Sequence, residues 1–119
     1  MSINKKITVL LADDHEVVRA GYCRLFDATP DINVVAEAED GEAAYRGYFE
    51  HQPDVLVMDI SMPGMDGTEV LYTIRTLEKE KNIPKEKRVK ILMVTASSDT
   101  DTVITCILAG RDVYLVKPI

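Results

Sequence analysis

Two adjacent aspartates, Asp13 and Asp14, follow directly on a short apolar run, and a third aspartate, Asp59, follows directly on another. Two later apolar runs end at Thr95 and Lys117. All-oxygen ligand sets favour Mg²⁺ or Mn²⁺ over zinc or copper. If these runs are strands that end side by side, the three carboxylates would bind a divalent cation and Lys117 would add a further positive charge.

The apolar runs have the length and character of buried parallel strands, because they are almost unbroken rather than alternating with polar residues. Between them the apolar residues recur at helical spacing. The pattern predicts β-α-β-α-β-α-β-α-β, with strands over 7–12, 33–36, 55–58, 89–94 and 113–116. Such alternation predicts right-handed crossovers and an open parallel sheet with helices on both faces.

The strand order of a flavodoxin-like doubly wound sheet is 2-1-3-4-5, which places the first and third strands side by side. That order gathers Asp13, Asp14 and Asp59 at the carboxyl edge of the sheet, where ligands bind in open α/β folds. Each pair of carboxylates about 4 Å apart repels by roughly 4 kcal/mol at an effective dielectric near 20. Any one of them alone would be explained as a helix cap or a solvated loop residue. All three together, with Thr95 and Lys117 at the remaining strand ends, favour a cation site.

Composition and missing motifs exclude several other classes of protein. The chain has 119 residues, which suits one domain, and its formal charge of -6 disfavours direct binding to a nucleic-acid backbone. The apolar runs are too short to span a membrane and the first residues do not resemble a signal peptide, so we expect a cytoplasmic protein. The turn after the first strand is acidic instead of glycine-rich, and no Walker, nucleophile-elbow or Cys-x-x-Cys motif occurs.

Four segments together resemble the receiver domains of two-component response regulators: 7–15, 57–67, 94–96 and 114–118. The resemblance covers almost the whole chain, and the opening Ala-Asp-Asp-His and segment 35–44 are most similar to regulators of the LuxR/NarL type. It implies a phosphorylation-dependent signalling switch. Such a switch turns over no small-molecule substrate, so we do not expect an enzyme.

The resemblance also implies roles for single residues. Asp59 would accept the phosphoryl group, and Asp13, Asp14, Asp59 and the backbone carbonyl of Ser61 would bind Mg²⁺ or Mn²⁺. Thr95 and Lys117 would bind the phosphoryl oxygens, and Thr95 and Tyr114 would form the conformational switch. Lys117 could instead be a surface lysine, and Tyr114 an ordinary packing residue. His15 is interpreted as a polar residue of the first helical turn.

The implied partners are a histidine kinase or phosphotransfer protein, and DNA only through an output domain outside residues 1–119. The resemblance also allows a homodimer with a second copy of the chain. The fifth helix usual in the family is missing after the fifth strand, so we expect a receiver domain cut from a longer regulator, a helix supplied by another chain, or a naturally minimal form.

Two alternatives to a receiver domain remain: a pseudo-receiver that binds partners without phosphorylation, and a haloacid-dehalogenase-like phosphohydrolase. The hydrolase would require Asp-x-Asp after the first strand, whereas Asp13 and Asp14 are adjacent.

The segment 78–88 is dense in charges of both signs and contains Pro84. This composition predicts the end of the third helix followed by a solvated loop. A surface for docking a partner is the alternative interpretation of the same residues.

Overall fold

The computed structural model describes residues 6–59, 67–94, 100–109 and 113–114. Strands and helices alternate along these residues as the apolar pattern predicts. In chain order they are β1 (Ile7–Ala12), α1 (Glu16–Asp27), β2 (Ile32–Ala38), α2 (Gly41–His51), β3 (Val55–Asp59), α3 (Gly67–Glu80), β4 (Lys90–Val94), α4 (Thr100–Ala109) and β5 (Val113–Tyr114). A short 3-10 helix, Lys85–Lys87, precedes β4.

The strands form one parallel sheet in the order β2-β1-β3-β4-β5. The prediction that the first and third strands are adjacent is confirmed, since Ala12 of β1 is paired with Met58 of β3. At the far edge, β5 contributes only two described residues, which pair with Leu92 and Met93 of β4. The fifth helix expected to be missing would follow Lys117 and Pro118, which lie outside the described part of the chain, so that expectation stays a prediction.

Burial along the strands follows their position in the sheet. Every residue of β3 and all but the first residue of β4 are buried, as expected for strands covered on both faces. The second strand departs from this expectation, because only two of the seven residues of Ile32–Ala38 are buried. It lies at the edge of the sheet, where one side of the strand has no neighbouring strand among the described residues.

Two apolar layers cover the two faces of the sheet, because successive strand residues point to opposite sides. Leu10, Leu56 and Met58 pack on one face with Ala44 of α2 and with Val70 and Ile74 of α3. The other face carries Val9, Leu11 and Val57, which pack with Tyr22 and Phe26 of α1 and with Val103 and Ile107 of α4. The doubly wound arrangement is therefore confirmed.

The position of α4 differs from the prediction of right-handed crossovers. A right-handed β4–α4–β5 connection would place α4 on the face that α2 and α3 cover, because the sheet continues in the same direction. Instead, Val103 and Ile107 pack with Leu92 and Val94 on the face of α1. On that face, α4 buries apolar surface of β4 that α1 does not reach alone.

The charged segment after α3 is only partly the solvated loop that its composition predicts. The helix ends at Glu80, and Asn82 adopts a positive φ of 56° where the chain turns. Glu78, however, is 1% exposed, and its carboxylate accepts a hydrogen bond from the backbone N–H of Val89 at 3.0 Å. The segment is thus held against the start of β4 by a buried acidic side chain.

Candidate metal centre at the carboxyl ends of the strands

Asp13 is the first residue after β1, and three hydrogen bonds hold its position. Its backbone N–H donates to the carbonyl of Ala38 at 3.0 Å, which continues the pairing of β1 with β2. Arg19 donates from Nη1 to the Asp13 carbonyl at 2.7 Å, and the His15 backbone N–H donates to Oδ1 of Asp13 at 2.8 Å. The Asp13 residue is only 3% exposed, so its carboxylate is presented from a fixed and nearly buried position.

Asp59 is the last residue of β3 and is 4% exposed. Its strand lies between β1 and β4, and Asp59 itself is paired with Val94. Met58 is paired with Ala12. Asp59 and Asp13 are the next residues along these parallel chains, so they lie side by side. Parallel register therefore places two carboxylates that are far apart in sequence at the same point of the sheet edge.

The side chains of Asp13, Asp14, His15 and Asp59 form one cluster. Each offers a potential ligand atom, and these atoms lie within 4.8 Å of one another. Carboxylates at that separation repel by about 3.5 kcal/mol per pair at an effective dielectric of 20, a cost that a bound divalent cation would remove. The carboxylate oxygens suit Mg²⁺ or Mn²⁺. The predicted meeting of the three aspartates is confirmed by this geometry.

The fold, the register and the acidic cluster all agree with a comparison to known protein families. A family model described as the response regulator receiver domain matches residues 9–119. The chain belongs to this family. It is the receiver domain of a two-component response regulator.

The similar proteins are regulators of the LuxR/NarL type. The chain is 43% identical over 111 residues to the transcriptional regulatory protein LiaR of Bacillus subtilis, covering 93% of this chain and 49% of LiaR. It is 36% identical over 117 residues to the nitrate/nitrite response regulator NarL of Escherichia coli, covering 98% of this chain and 50% of NarL. The chain thus spans about half the length of these curated relatives.

Solved structures show the same fold. The receiver domain of the putative response regulator NarL from Mycobacterium tuberculosis superposes with a TM-score of 0.71 at 31% identity, covering 93% of this chain and 83% of that one. CheY of Borrelia burgdorferi, in a complex with CheX, BeF₃ and Mg²⁺, gives a TM-score of 0.67 at 27% identity, covering 97% and 81%. None of the helices in the described part of this receiver domain has the length and apolar character needed to cross a membrane.

Two residues that contact the cluster, His15 and Arg19, were not found from the sequence. The His15 ring Nδ1 lies 3.2 Å from Oδ1 of Asp13 and 3.0 Å from Oδ1 of Asp14, although the sequence suggested only a polar residue in the first helical turn. Arg19 binds the Asp13 carbonyl and, through Nε, Oε1 of Glu37 at 3.0 Å. The only signal in the sequence was the position of His15 directly after the two aspartates.

Several predicted site residues cannot be compared with the geometry of the cluster. Ser61, Thr95 and Lys117 lie outside the described residues. Tyr114 is described only through its backbone, which belongs to β5 and is paired with Met93. Their roles therefore remain predictions from the resemblance.

Proposed function

We propose that this receiver domain accepts a phosphoryl group on Asp59 from a phosphohistidine of a partner protein. The observation that carries the proposal is the position of Asp59, at the end of β3 and within 4.8 Å of the ligand atoms of Asp13 and Asp14. One carboxylate oxygen of Asp59 attacks the phosphorus atom, a P–O bond forms, and the P–N bond to the imidazole breaks. The histidine of the partner leaves with the electron pair of that bond.

Mg²⁺ or Mn²⁺ would be held by Asp13, Asp14 and Asp59, with the backbone carbonyl of Ser61 as a further ligand. When bound, the ion supplies positive charge against the negative charge that spreads over the phosphoryl oxygens. The protein positions the acids: Arg19 and the backbone of His15 hold Asp13, and the pairing of β3 with β1 holds Asp59. Phosphoryl transfer needs mainly such alignment and charge neutralisation from the protein.

The remaining roles are proposed from the resemblance to receiver domains. Lys117 binds a phosphoryl oxygen through its ammonium group, and Thr95 binds another through its hydroxyl. Movement of Thr95 toward the phosphoryl group gives the ring of Tyr114 room to rotate, which changes the surface near α4 and β5. The domain acts as a stoichiometric switch, because the transferred group stays on Asp59 until hydrolysis and no small molecule is turned over.

The phosphoryl donor is a histidine kinase or a phosphotransfer protein in the cytoplasm. LiaR is described as a transcriptional regulatory protein, and NarL as a nitrate/nitrite response regulator. This chain matches about half the length of each. We therefore infer that residues 1–119 are the receiver domain of a longer regulator, whose output is a DNA-binding domain outside these residues. Phosphorylation would control that output.

The experiment is to incubate the domain with Mg²⁺ and acetyl phosphate and to measure the intact mass. We expect an adduct with the mass of one phosphoryl group in the wild type and none in Asp59→Asn. The matched control is Asp54→Asn, which changes an aspartate beside the opposite end of the same strand and should retain the adduct.

The other outcomes distinguish the alternatives. No adduct in the folded wild type would support a pseudo-receiver that only binds partners. Continuous release of phosphate at enzymatic rates would support a phosphohydrolase. An adduct that persists in Asp59→Asn would place the acceptor on another residue.

A further inference from the structure

A cavity of about 610 Å³ lies at the end of the sheet opposite the acidic cluster. It is bounded by the end of α2, the end of α3 and the amino ends of β3 and β4, where Asp54 and Lys90 are found. Its volume is within the range of 300–1,000 Å³ typical of sites for small molecules. The receiver function proposed above does not use this end of the molecule.

One wall of the cavity is apolar and aromatic. Tyr48 and Phe49 contribute it from α2, Leu77 from α3 and Ile83 from the following loop. The Phe49 residue is 43% exposed, although its ring lies 5.8 Å from the ring of Tyr48 in an edge-to-face arrangement. A ligand with a flat apolar body would cover this exposed aromatic surface.

The rest of the cavity is lined by more basic than acidic side chains. Lys81, Lys87, Arg88 and Lys90 line it, and none of them forms an ion pair with a carboxylate among the described residues. Lys81 Nζ lies 5.2 Å from the centre of the Phe49 ring, a cation–π contact. Segment 79–90 holds six Lys and Arg residues and two Glu residues, so it carries a net charge of +4 in a chain whose formal charge is -6.

Two of the three acidic residues of the lining are engaged by other groups, whereas Glu86 is exposed. Glu78 is 1% exposed and accepts from Arg75 Nη1 at 2.6 Å, from the Val89 N–H at 3.0 Å and from the Tyr48 hydroxyl at 3.4 Å. Asp54 accepts from the N–H and the hydroxyl of Thr8 at 2.9 and 3.1 Å. With Glu78 paired to Arg75, the lining keeps four positive side chains against the negative charges of Asp54 and Glu86, so an incoming ligand meets a net positive charge.

We propose that this cavity binds a small organic anion with an aromatic body. The ring lies against Phe49 and Tyr48, and the carboxylate, sulfonate or phosphate group lies among Lys81, Lys87 and Arg88. An inorganic anion would leave the aromatic wall uncovered, and a neutral aromatic molecule would supply no negative charge to Lys81, Lys87 and Arg88. Both parts of the ligand are needed to match the two halves of the cavity.

The test is a fluorescence titration of the folded domain with anilinonaphthalene sulfonate, an aromatic anion. Lys87→Glu places a negative charge in the cavity and should weaken binding by about tenfold, because like charges are brought together. The matched control is Lys85→Glu, in the same 3-10 helix but outside the cavity lining, which should leave the affinity within about twofold. Circular dichroism establishes that each variant is folded.

Two further measurements complete the test. Phe49→Ala should also weaken binding, since it removes the exposed aromatic wall, and inorganic sulfate should compete only weakly with the probe. Equal losses in Lys85→Glu and Lys87→Glu would show a general charge effect and overturn the proposal. Two results would overturn the proposal that the ligand needs an aromatic body. One is sulfate that binds as strongly as the aromatic probe, and the other is unchanged probe binding in Phe49→Ala.

Discussion

The guanidinium group of Arg19 donates from Nη1 to the backbone carbonyl of Asp13 at 2.7 Å. The same side chain, 15% exposed, donates from Nε to Glu37 at 3.0 Å. Arg19 therefore joins α1 to the ends of β1 and β2 beside the acidic cluster. A charged donor satisfying a nearly buried carbonyl contributes more than an ordinary hydrogen bond.

Replacing Arg19 should lower the stability of the domain. We expect Arg19→Ala to reduce the free energy of unfolding by about 2 kcal/mol, because the Asp13 carbonyl loses a charged donor. Arg24→Ala, an exposed position on the same helix, should change it by less than about 0.5 kcal/mol. Urea denaturation measures both variants, and equal effects would show that the Arg19 contact contributes nothing specific.

Divalent cations should stabilise the wild type by relieving repulsion among Asp13, Asp14 and Asp59. At tenfold excess over the dissociation constant, Mg²⁺ should add about 1.4 kcal/mol and raise the melting temperature. With a chelator present, Asp14→Asn should be more stable than the wild type, because one repelling carboxylate is removed. Mg²⁺ should then stabilise this variant less than it stabilises the wild type. Melting curves with EDTA and with MgCl₂ test this, with exposed Asp31→Asn as the control. A melting temperature independent of Mg²⁺ would contradict the cation site.

Alkaline pH should destabilise the domain through Tyr48. Burial, with the nearby Glu78 carboxylate as the second cause, raises the pKa of Tyr48 from 10.0 to about 12. Between these values the unfolded chain loses the phenol proton while the folded chain keeps it, so stability falls as pH rises. Urea midpoints measured across this range should fall less steeply in Tyr48→Phe than in the wild type. Tyr72→Phe, at a position 75% exposed, should keep the wild-type slope.

Two helical glycines should respond oppositely to alanine. A Cβ atom at Gly47 of α2 would lie 2.6 Å from Cδ1 of Leu10, which is fully buried in β1. Gly47→Ala should therefore destabilise the domain by about 1–3 kcal/mol. At Gly21 of α1 no atom lies within 4 Å of the added carbon, so Gly21→Ala should stabilise by about 0.5–1 kcal/mol through helix propensity. Thermal unfolding of both variants tests the close approach of α2 to β1.

The sequence predicted the elements well where hydrophobic spacing determines them. The unbroken run over 7–12 became β1 with the same bounds, and the predicted third strand extended by one residue to include Asp59. The second strand was predicted too short, because the exposed Glu37 interrupts the apolar run before Ala38, which is buried and ends the strand. Position in the sheet, which local spacing does not encode, decides how much of a strand must be apolar.

Sequence by itself determined that acidic residues would follow neighbouring strands and meet at one sheet edge, because parallel strands end together. Only the tertiary structure decided that His15 and Arg19 would contact Asp13, that α4 would lie beside α1, and that Glu78 would be buried below a cationic cavity. Hydrophobic periodicity specifies which face of an element is buried. Contacts between side chains depend on how closely distant segments approach, and that distance exists only once the chain has packed.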